Sequence, residues 1–555
     1  RVHDFAWFAD KRYHVLLDTI TLPVSQRKVL SQVLFTNADA TYWKHGSDYV
    51  KEAVLFYSQH LGEYPYDVVS IVDGTITAGA GMEYPMIAVI GNSFGLFDFE
   101  YTVQHEVGHN WFYGILGSNE RDHAWMDEGM DSYYNLRYFE EKYPTKNFAE
   151  FYVPNNLLRF AHLDKYSHKT QYILSYWLSA RSNKDQAASL KSTEFTFLNY
   201  GNSVYSKSAS ALNYLSKYLG ETLFDSCMKV YYETWKFKHP QPQDFRNLIA
   251  EKSGKKLNWF FDDVMGSSKK MDYKICSIQE KDSNFIVGIK NRKNIAGPFS
   301  ISAISNKEAT LTQWYEGFGG KQKVVFPKSA FSSLALDHAW DMVEINRRNN
   351  VIRRKGVFKK AEALQFQFLG SVENASRTTI NFFPALGYNS HDALMAGLAF
   401  YNYSLIQKPF EYMILPLYAF GSKQLNGAVQ GIYHWNGNGL FQAIEPQVKF
   451  KKYSYRSIPF ALGFIKAAPT IDFTFRKKNP RSILSNSISI NHSSIWEDES
   501  SYVGAEKKYI KKNYANYYYL NNFSYKLKNA RAINPFYINL QVEQGNRFMK
   551  SWLEA

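Results

Sequence analysis

The chain has 555 residues, of which 45% are apolar, 21% are charged and 17% are aromatic. This composition excludes a disordered or collagen-like chain, and the length suggests about three to four domains. No run of about 18 apolar residues occurs, so the sequence predicts no transmembrane helix. Two cysteines, Cys227 and Cys276, are too few for a disulfide framework.

Charge is distributed unevenly along the chain. Residues 1–266 contain 26 Lys and Arg against 31 Asp and Glu, a net charge of −5, so the total of +14 leaves +19 for the remainder. This division indicates a boundary between domains with different roles. The basic part could face nucleic acid, anionic lipid headgroups or only water. Its basic residues are spread over alternating segments instead of one helix, so we expect no nucleic-acid partner.

The first half of the chain mixes short β-like runs with amphipathic helical segments. Helical periodicity is found at residues 102–115, 128–142, 206–219 and 243–253. The last of these segments is followed by Gly254, a typical helix-stop residue. Residues 1–266 are therefore predicted to form an α+β or α/β domain with a helical lobe.

A His-Glu-Val-Gly-His motif occupies positions 105–109, inside one of these helical segments. Residues four apart share a helix face, so His105 and His109 can bind one zinc ion while Glu106 stands beside it. A catalytic zinc ion needs a third protein ligand, and Glu128 begins the next helical segment. Zinc lowers the pKa of a bound water molecule and a nearby carboxylate takes its proton. The motif thus predicts a metallohydrolase with one zinc ion.

These residues resemble the zinc aminopeptidases related to aminopeptidase N, which belong to the gluzincins. The family pattern is His-Glu-x-x-His, eighteen residues and then Glu, and His105, Glu106, His109 and Glu128 match it without a gap. The resemblance covers about residues 1–265. It implies a thermolysin-like α+β catalytic domain, zinc on His105, His109 and Glu128, and Glu106 as the general base. The family's large N-terminal β domain is not found in this sequence, and its helical C-terminal region is replaced by strands.

A second family element precedes the zinc motif. Gly79-Ala-Gly-Met-Glu-Tyr-Pro stands where the family has a Gly-x-Met-Glu-Asn strand, with Tyr84 in place of Asn. The resemblance implies that Glu83 binds the free α-amine of the substrate. It also implies that the backbone at Gly81 and Met82 pairs with the peptide in β fashion.

A third family element follows the zinc ligands. The segment Val204-Tyr-Ser-Lys-Ser-Ala resembles the context of the family's oxyanion-binding tyrosine, with Ser208 in the usual glycine position. The resemblance implies that Tyr205 donates its hydroxyl where negative charge develops.

The second half of the chain has the period of two that is typical of β-strands. Residues 267–346 are predicted to form a small β-sandwich, and the basic segment 347–361 a solvated linker. Residues 362–555 alternate apolar and polar side chains over about eight or nine antiparallel strands. Strands with one apolar and one polar face fit part of an outer-membrane β-barrel, and they also fit a soluble sandwich. Of these two interpretations, we favour the barrel.

The sequence therefore predicts a multidomain protein with an α+β catalytic domain, a small β-sandwich and an all-β, barrel-like region. We expect a zinc-dependent aminopeptidase acting on peptides with a free N-terminus. Its expected location is the outer membrane or periplasm of a Gram-negative-type envelope. The chain opens Arg-Val-His-Asp, so we expect a processed or truncated piece without its signal peptide. The alternatives are an endopeptidase with the same zinc site, and an outer-membrane barrel or binding scaffold whose peptidase domain is secondary.

Overall fold

A computed structural model describes most of the chain. The described residues are 1–36, 40–74, 76, 81–146, 148–151, 159, 166–370, 377–437, 439–506 and 508–555. They divide into two compact units. The first unit comprises residues 1–160, 164–180 and 185–361, and the second comprises residues 161–163, 181–184 and 362–555.

The first unit opens with a five-stranded mixed sheet. Its strands are β1 (His14–Thr21), β2 (Lys28–Phe35), β3 (Val68–Asp73), β4 (Gly81–Met82) and β5 (Ile87–Ile90). The spatial order is β1-β2-β3-β5-β4, with parallel pairing between β2 and β3 and between β3 and β5. Central strand β3 buries four successive residues, Val69, Ser70, Ile71 and Val72, as expected for a strand covered on both faces. Strand β4 lies at the edge of the sheet.

Helices pack against this sheet and against one another in the first unit. They are α1 (Ala40–Trp43), α2 (Gly46–His60), α3 (Leu96–His109), α4 (Glu120–His123), α5 (Glu128–Lys142), α6 (His168–Ala180), α7 (Phe197–Asn199), α8 (Ser208–Leu219), α9 (Glu221–Trp235) and α10 (Pro242–Ser253). Segments of π-helix occupy Asn110–Ile115, Tyr200–Lys207 and Trp259–Met265. Short 3-10 turns lie at Ala124–Met126, Phe148–Phe151 and Ser192–Glu194. Within the described part of the chain, none of the helices has the length and apolar composition to cross a bilayer.

The predicted helical segments are confirmed, with π-helix in two of them. The segment predicted at 206–219 begins with two π-helical residues before α8. Helix α5 has the predicted bounds, but the segment predicted at 102–115 ends as an α-helix at His109 and continues as a π-helix. The Asn110 side chain gives a local reason. Its amide donates to the Val107 carbonyl at 2.9 Å and its oxygen accepts from the Met86 backbone at 2.9 Å, in competition with regular helical bonds.

Two small antiparallel sheets follow the helical region. Their strands are β6 (Tyr273–Lys281), β7 (Asn284–Asn291), β8 (Phe299–Ser305), β9 (Glu308–Tyr315), β10 (Lys321–Pro327), β11 (Ser333–Leu336) and β12 (Val351–Arg353). One sheet has the order β10-β7-β6 and the other the order β12-β11-β8-β9. Both sheets lie in the part of the chain where we expected a small sandwich.

The basic segment 347–361 differs from the solvated linker that we expected. It contains a 3-10 turn at Arg347–Asn349 and strand β12, which pairs with β11. Arg347 is buried, with its guanidinium 4.6 Å from the Trp340 ring centre and an ion pair to Asp337. Because this buried cation is paired and hydrogen-bonded, a segment that is polar in sequence becomes part of the folded unit.

The second unit is dominated by a twelve-stranded sheet. Its strands are β13 (Ala363–Phe368), β14 (Arg377–Asn389), β15 (Ala393–Tyr401), β16 (Phe410–Ala419), β17 (Gln424–Tyr433), β18 (Trp435–Asn436), β19 (Phe441–Arg456), β20 (Leu462–Phe475), β21 (Leu484–Val503), β22 (Lys508–Asn529), β23 (Phe536–Gly545) and β24 (Met549–Glu554). A 3-10 turn lies at Gly504–Glu506, between β21 and β22. Neighbouring strands in the sheet follow one another in chain order from β13 to β24. The exception is β18, which pairs with β19 but is not part of this series, so that β17 also pairs with β19.

Two details of this sheet differ from the expected antiparallel set of about eight or nine strands. The first pair, β13 and β14, is parallel. The sheet also has twelve strands, and some of them, such as β17 with Gly427 and Gly431, contain glycines that interrupt the apolar alternation. In the described residues no ladder joins β13 to β24, so the sheet is open between them.

Candidate metal centre

Three side chains converge where the end of α3 meets the start of α5. The Nε2 atoms of His105 and His109 are 3.3 Å apart. Glu128 Oε2 lies 3.3 Å from Nε2 of His105 and 3.2 Å from Nε2 of His109. Ligands arranged tetrahedrally around zinc at about 2.0–2.1 Å are separated from one another by about 3.3 Å. These three atoms therefore fit three corners of a zinc site.

The charge state of this cluster also fits a cation. Glu128 Oε2 is buried and has no hydrogen-bond partner among the described residues. Burial alone would raise the pKa of Glu128, but His109 and His105 hold it well below its usual range, so the carboxylate is ionised. A buried anionic oxygen that faces two imidazole nitrogens is the donor set that Zn²⁺ prefers.

Each histidine of the pair also contacts a buried carboxylate through its other ring nitrogen. His109 Nδ1 donates to Asp127 Oδ1 at 2.7 Å, and His105 Nδ1 lies 2.7 Å from Asp131 Oδ2. Tyr57, on α2, donates its hydroxyl to Asp131 Oδ1 at 2.7 Å. Such partners fix the ring orientation and leave Nε2 free to bind a metal.

Close packing of α3 against α2 and α5 depends on Gly108. A Cβ atom at this position would overlap both the Asp131 carboxylate and the Tyr57 ring. Position 108, directly before the second histidine of the motif, is therefore restricted to glycine, because a larger side chain would push the three helices apart.

Glu106 is buried beside the histidines and next to strand β4. A Cβ atom on Gly81 would overlap the Glu106 side chain, so the strand backbone runs directly against this carboxylate. Burial raises the pKa of Glu106 to about 8, an effect that the neighbouring His105 and His109 oppose. The arrangement places a proton acceptor between the ligand cluster and the sheet edge.

Glu83 follows β4 and also reaches the cluster. One carboxylate oxygen of Glu83, one ring nitrogen of His109 and one carboxylate oxygen of Asp127 all lie within 4.8 Å of one another. Glu120, at the start of α4, is a further nearby acid, because burial and then the charge of Glu83 raise its pKa. The surroundings of the histidines are thus strongly acidic. Gly79 and Ala80, the first residues of the predicted substrate strand, lie outside the described residues.

Tyr205 lies in the π-helical segment Tyr200–Lys207 and faces the same cluster. Its hydroxyl donates a hydrogen bond to Glu128 Oε1, and its ring centre is 6.0 Å from that of His105. Burial, and then the charge of Glu128, raise the pKa of Tyr205, so the hydroxyl stays protonated and can donate. Tyr200, on the same segment, packs against Tyr205 at 5.9 Å between ring centres.

The structure places six of the predicted side chains close together: Glu83 after the edge strand, His105, Glu106 and His109 on α3, Glu128 on α5, and Tyr205 on the π-helical segment. Gly81 lies against Glu106, whereas the Met82 side chain, on the same edge strand, is exposed. Sequence analysis missed the carboxylates Asp127, Asp131 and Glu120 and the hydroxyl of Tyr57. Of these four residues, only Asp131 could have been found from its spacing, because it lies three residues after Glu128 and so shares a helix face with it.

Comparisons with known proteins agree with this geometry. Residues 48–264 match the Peptidase family M1 domain. Human aminopeptidase Q is 25% identical over 264 residues, which are 44% of this chain and 24% of that protein. Mitochondrial aminopeptidase 2 of Saccharomyces cerevisiae is 26% identical over 34% of this chain and 18% of its own length. Lactococcus lactis aminopeptidase N is 25% identical over 34% of this chain and 20% of its own length.

The chain thus spans about a quarter or less of each of these relatives. Among solved structures, Legionella pneumophila aminopeptidase A in complex with aspartic acid is similar, with a TM-score of 0.47 and 13% identity. That similarity covers 63% of this chain and 39% of the Legionella chain.

Proposed function

We propose, from the match of residues 48–264 to the Peptidase family M1 domain, that this chain is a zinc-dependent aminopeptidase. It hydrolyses N-terminal residues from peptides. The observation that carries the proposal is the triangle of ligand atoms on His105, His109 and Glu128, with Glu106 beside it.

Each of these residues has a definite task in peptide hydrolysis. A zinc ion held by His105, His109 and Glu128 would supply a Lewis acid for the scissile carbonyl and lower the pKa of water. Glu106 accepts the proton of the attacking water and returns it to the leaving amine. Tyr205 donates its hydroxyl to the carbonyl oxygen as negative charge develops there.

Glu83 and strand β4 support an exopeptidase over an endopeptidase. The Glu83 carboxylate, close to His109, can pair with the free α-amine of a peptide, and the charge of Glu120 adds to the acidic surroundings. Strand β4 lies at a sheet edge, where an extended substrate can add as a further strand. An endopeptidase has no use for a carboxylate at this position, because its substrate presents no charged amine there.

A matched pair of peptides tests this proposal. One peptide has a free amine and the other is N-acetylated, and both are assayed with the full chain before and after chelation, alongside its metal content. We expect one zinc ion per chain and chelator-sensitive cleavage of the free-amine peptide alone. Glu83→Gln should reduce this preference, whereas Glu308→Gln, on exposed strand β9, should preserve it.

Two outcomes would favour the alternatives. Equal cleavage of both peptides would indicate an endopeptidase with the same site. Bound zinc without cleavage of either peptide would favour a scaffold whose peptidase domain is secondary.

From β19 to β23, the twelve-stranded sheet has an apolar face and a polar face. One row across β19 to β23 consists of Pro446, Ile471, Ile490, Phe523 and Val542. The adjacent row, one residue along each strand, consists of Gln447, Thr470, Asn491, Asn522 and Glu543. Ile471, Ile490 and Phe523 are exposed, whereas Ser524 and Asn539, on the polar face, are buried and hydrogen-bonded to each other. A sheet in water has the opposite arrangement.

We propose that lipid covers the apolar face, and that the sheet belongs to an outer-membrane β-barrel. Apolar side chains outside and polar side chains inside are typical of strands that cross a bilayer. The test attaches an environment-sensitive fluorophore to Ile490→Cys or to its neighbour Asn491→Cys, in a Cys276→Ser background. After reconstitution of the full chain, lipid-borne quenchers should quench the label at 490 and spare the label at 491. Equal quenching at both positions would contradict the proposal and favour the soluble sandwich.

A further inference from the structure

A well-ordered loop links strand β12 to residue Ala361. The Arg353 backbone amide donates to the Lys359 carbonyl at 2.8 Å, and the Arg353 guanidinium donates to the carbonyls of Phe358 and Ala361. The Ala361 amide donates to the Phe358 carbonyl at 3.1 Å. These bonds close the base of the loop, so its tip has a defined conformation.

The tip carries two apolar side chains that protrude into solvent. Val357 is 93% exposed and Phe358 is 76% exposed. Gly356, with a φ of +102°, makes the turn that places them there. Exposing two adjacent large apolar side chains is unfavourable unless they have a partner.

Cations surround this apolar tip. Lys355 precedes it and Lys359 follows it, and neither forms an ion pair with any described residue. The other cations secure the base of the loop. Arg354 pairs with Glu280 at 3.0 Å, and the Lys360 ammonium donates to the Cys276 carbonyl. The tip therefore combines two exposed apolar groups with two positive charges that have no ion pair within the described part of the chain.

We propose that this loop binds the surface of an anionic lipid membrane. Lys355 and Lys359 pair with the phosphate groups of lipid headgroups, while Val357 and Phe358 enter the boundary between headgroups and acyl chains. Nucleic acid would satisfy the charges but leave Val357 in water. A deformable lipid surface accommodates a convex apolar tip without needing a matching pocket. The proposal depends neither on the peptidase activity nor on the lipid contact of the twelve-stranded sheet.

The test places a polarity-sensitive fluorophore at the tip, as Val357→Cys in a Cys276→Ser background, because Cys276 is the partly exposed native thiol. The labelled full chain is reconstituted into vesicles of pure phosphatidylcholine, or of equal parts phosphatidylcholine and phosphatidylglycerol. A matched label at Phe94→Cys serves as control, because Phe94 is 95% exposed but its neighbour Asp98 is acidic.

We expect the label at 357 to shift to the blue in phosphatidylglycerol vesicles alone, and the shift to disappear at high salt. Each lysine contributes about a five-fold factor to membrane association, so replacing both Lys355 and Lys359 with Ser should weaken it about 25-fold. No shift in either kind of vesicle would overturn the proposal. So would an equal shift in both, or an equal shift at the Phe94 position.

Discussion

Asp131 Oδ2 lies 2.7 Å from Nδ1 of His105, so a buried carboxylate supports the zinc-facing ring from behind. We expect Asp131→Asn to weaken zinc binding by about 10- to 100-fold, because the amide removes the charge that orients the ring and increases its basicity. Competition with a chromophoric chelator measures this affinity. Asp272→Asn, the same change at a buried aspartate of the sandwich, should have no effect on zinc binding. Equal affinities for the Asp131 variant and the unmodified protein would contradict this role.

Glu106→Gln should separate metal binding from catalysis. Glutamine has nearly the same shape but cannot accept a proton, so kcat should fall by about 10² to 10⁴ while zinc content stays at one per chain. Metal analysis and peptide hydrolysis on the same sample provide the measurement. Near-normal turnover in this variant would assign the base to another residue.

Tyr205→Phe removes a hydroxyl that faces the ligand cluster. The loss of an oxyanion donor should lower kcat by about 10² to 10³ with little change in KM. The same hydroxyl donates to Glu128. Zinc affinity is therefore measured in parallel. If the fall in kcat is explained entirely by weaker zinc binding, the role of Tyr205 is structural. Tyr231→Phe, a buried tyrosine of α9, is the matched control.

Gly81→Ala should impair catalysis without changing a polar group. The added methyl group would overlap the Glu106 side chain and must displace either the base or strand β4. We expect kcat/KM to fall by about ten-fold or more, since small misplacements of a catalytic group are costly. Gly319→Ala has open space around the added methyl group and should leave kinetics unchanged. Unaltered activity of the Gly81 variant would show that β4 can move away from Glu106 freely.

His168 should make the first unit sensitive to acid. The residue is buried, its Nδ1 lies 3.1 Å from the Gln171 amide, and burial lowers its pKa from 6.5 to about 4. Between these values the unfolded chain binds a proton that the folded chain does not, so stability decreases as the pH falls from about 6.5 to about 4. The full effect is about 3 kcal/mol.

His168→Phe should flatten this part of the stability profile, measured as the unfolding midpoint at successive pH values. His14→Phe, at an exposed strand position, should leave the profile unchanged. An identical acid dependence in the His168 variant and the unmodified protein would contradict the assignment.

Local spacing predicts only part of the site. His105 and His109 lie one helical turn apart, so helical periodicity places both on one face, and Glu128 begins the next amphipathic segment. Glu83 and Tyr205 were expected only from the resemblance to a known family. Tyr57 could not be found by spacing. It lies 74 residues before its partner Asp131, and only the packing of α2 against α3 and α5 brings the two side chains together.

The fold shows the same distinction between local and long-range information. Alternation located most strands of the second unit, because each strand displays its two faces in its own sequence. The parallel pairing of β13 with β14 is a property of chain path, and no residue pattern encodes it. The segment 347–361 looked solvated because its charges are visible in the sequence, whereas the partners that bury Arg347, such as Asp337 and Trp340, are not.

The restriction at Gly108 has a consequence for how related sequences should vary. A methyl group at position 108 would overlap the Tyr57 ring and the Asp131 carboxylate. A chain with alanine there therefore needs a smaller side chain on the facing helix. Alanine at 108 should therefore be accompanied by a smaller residue at 57 or at 131. Such a chain would lose either the carboxylate that contacts His105 or the hydroxyl that hydrogen-bonds to that carboxylate. The residue at position 108 should therefore covary with the residues at positions 57 and 131.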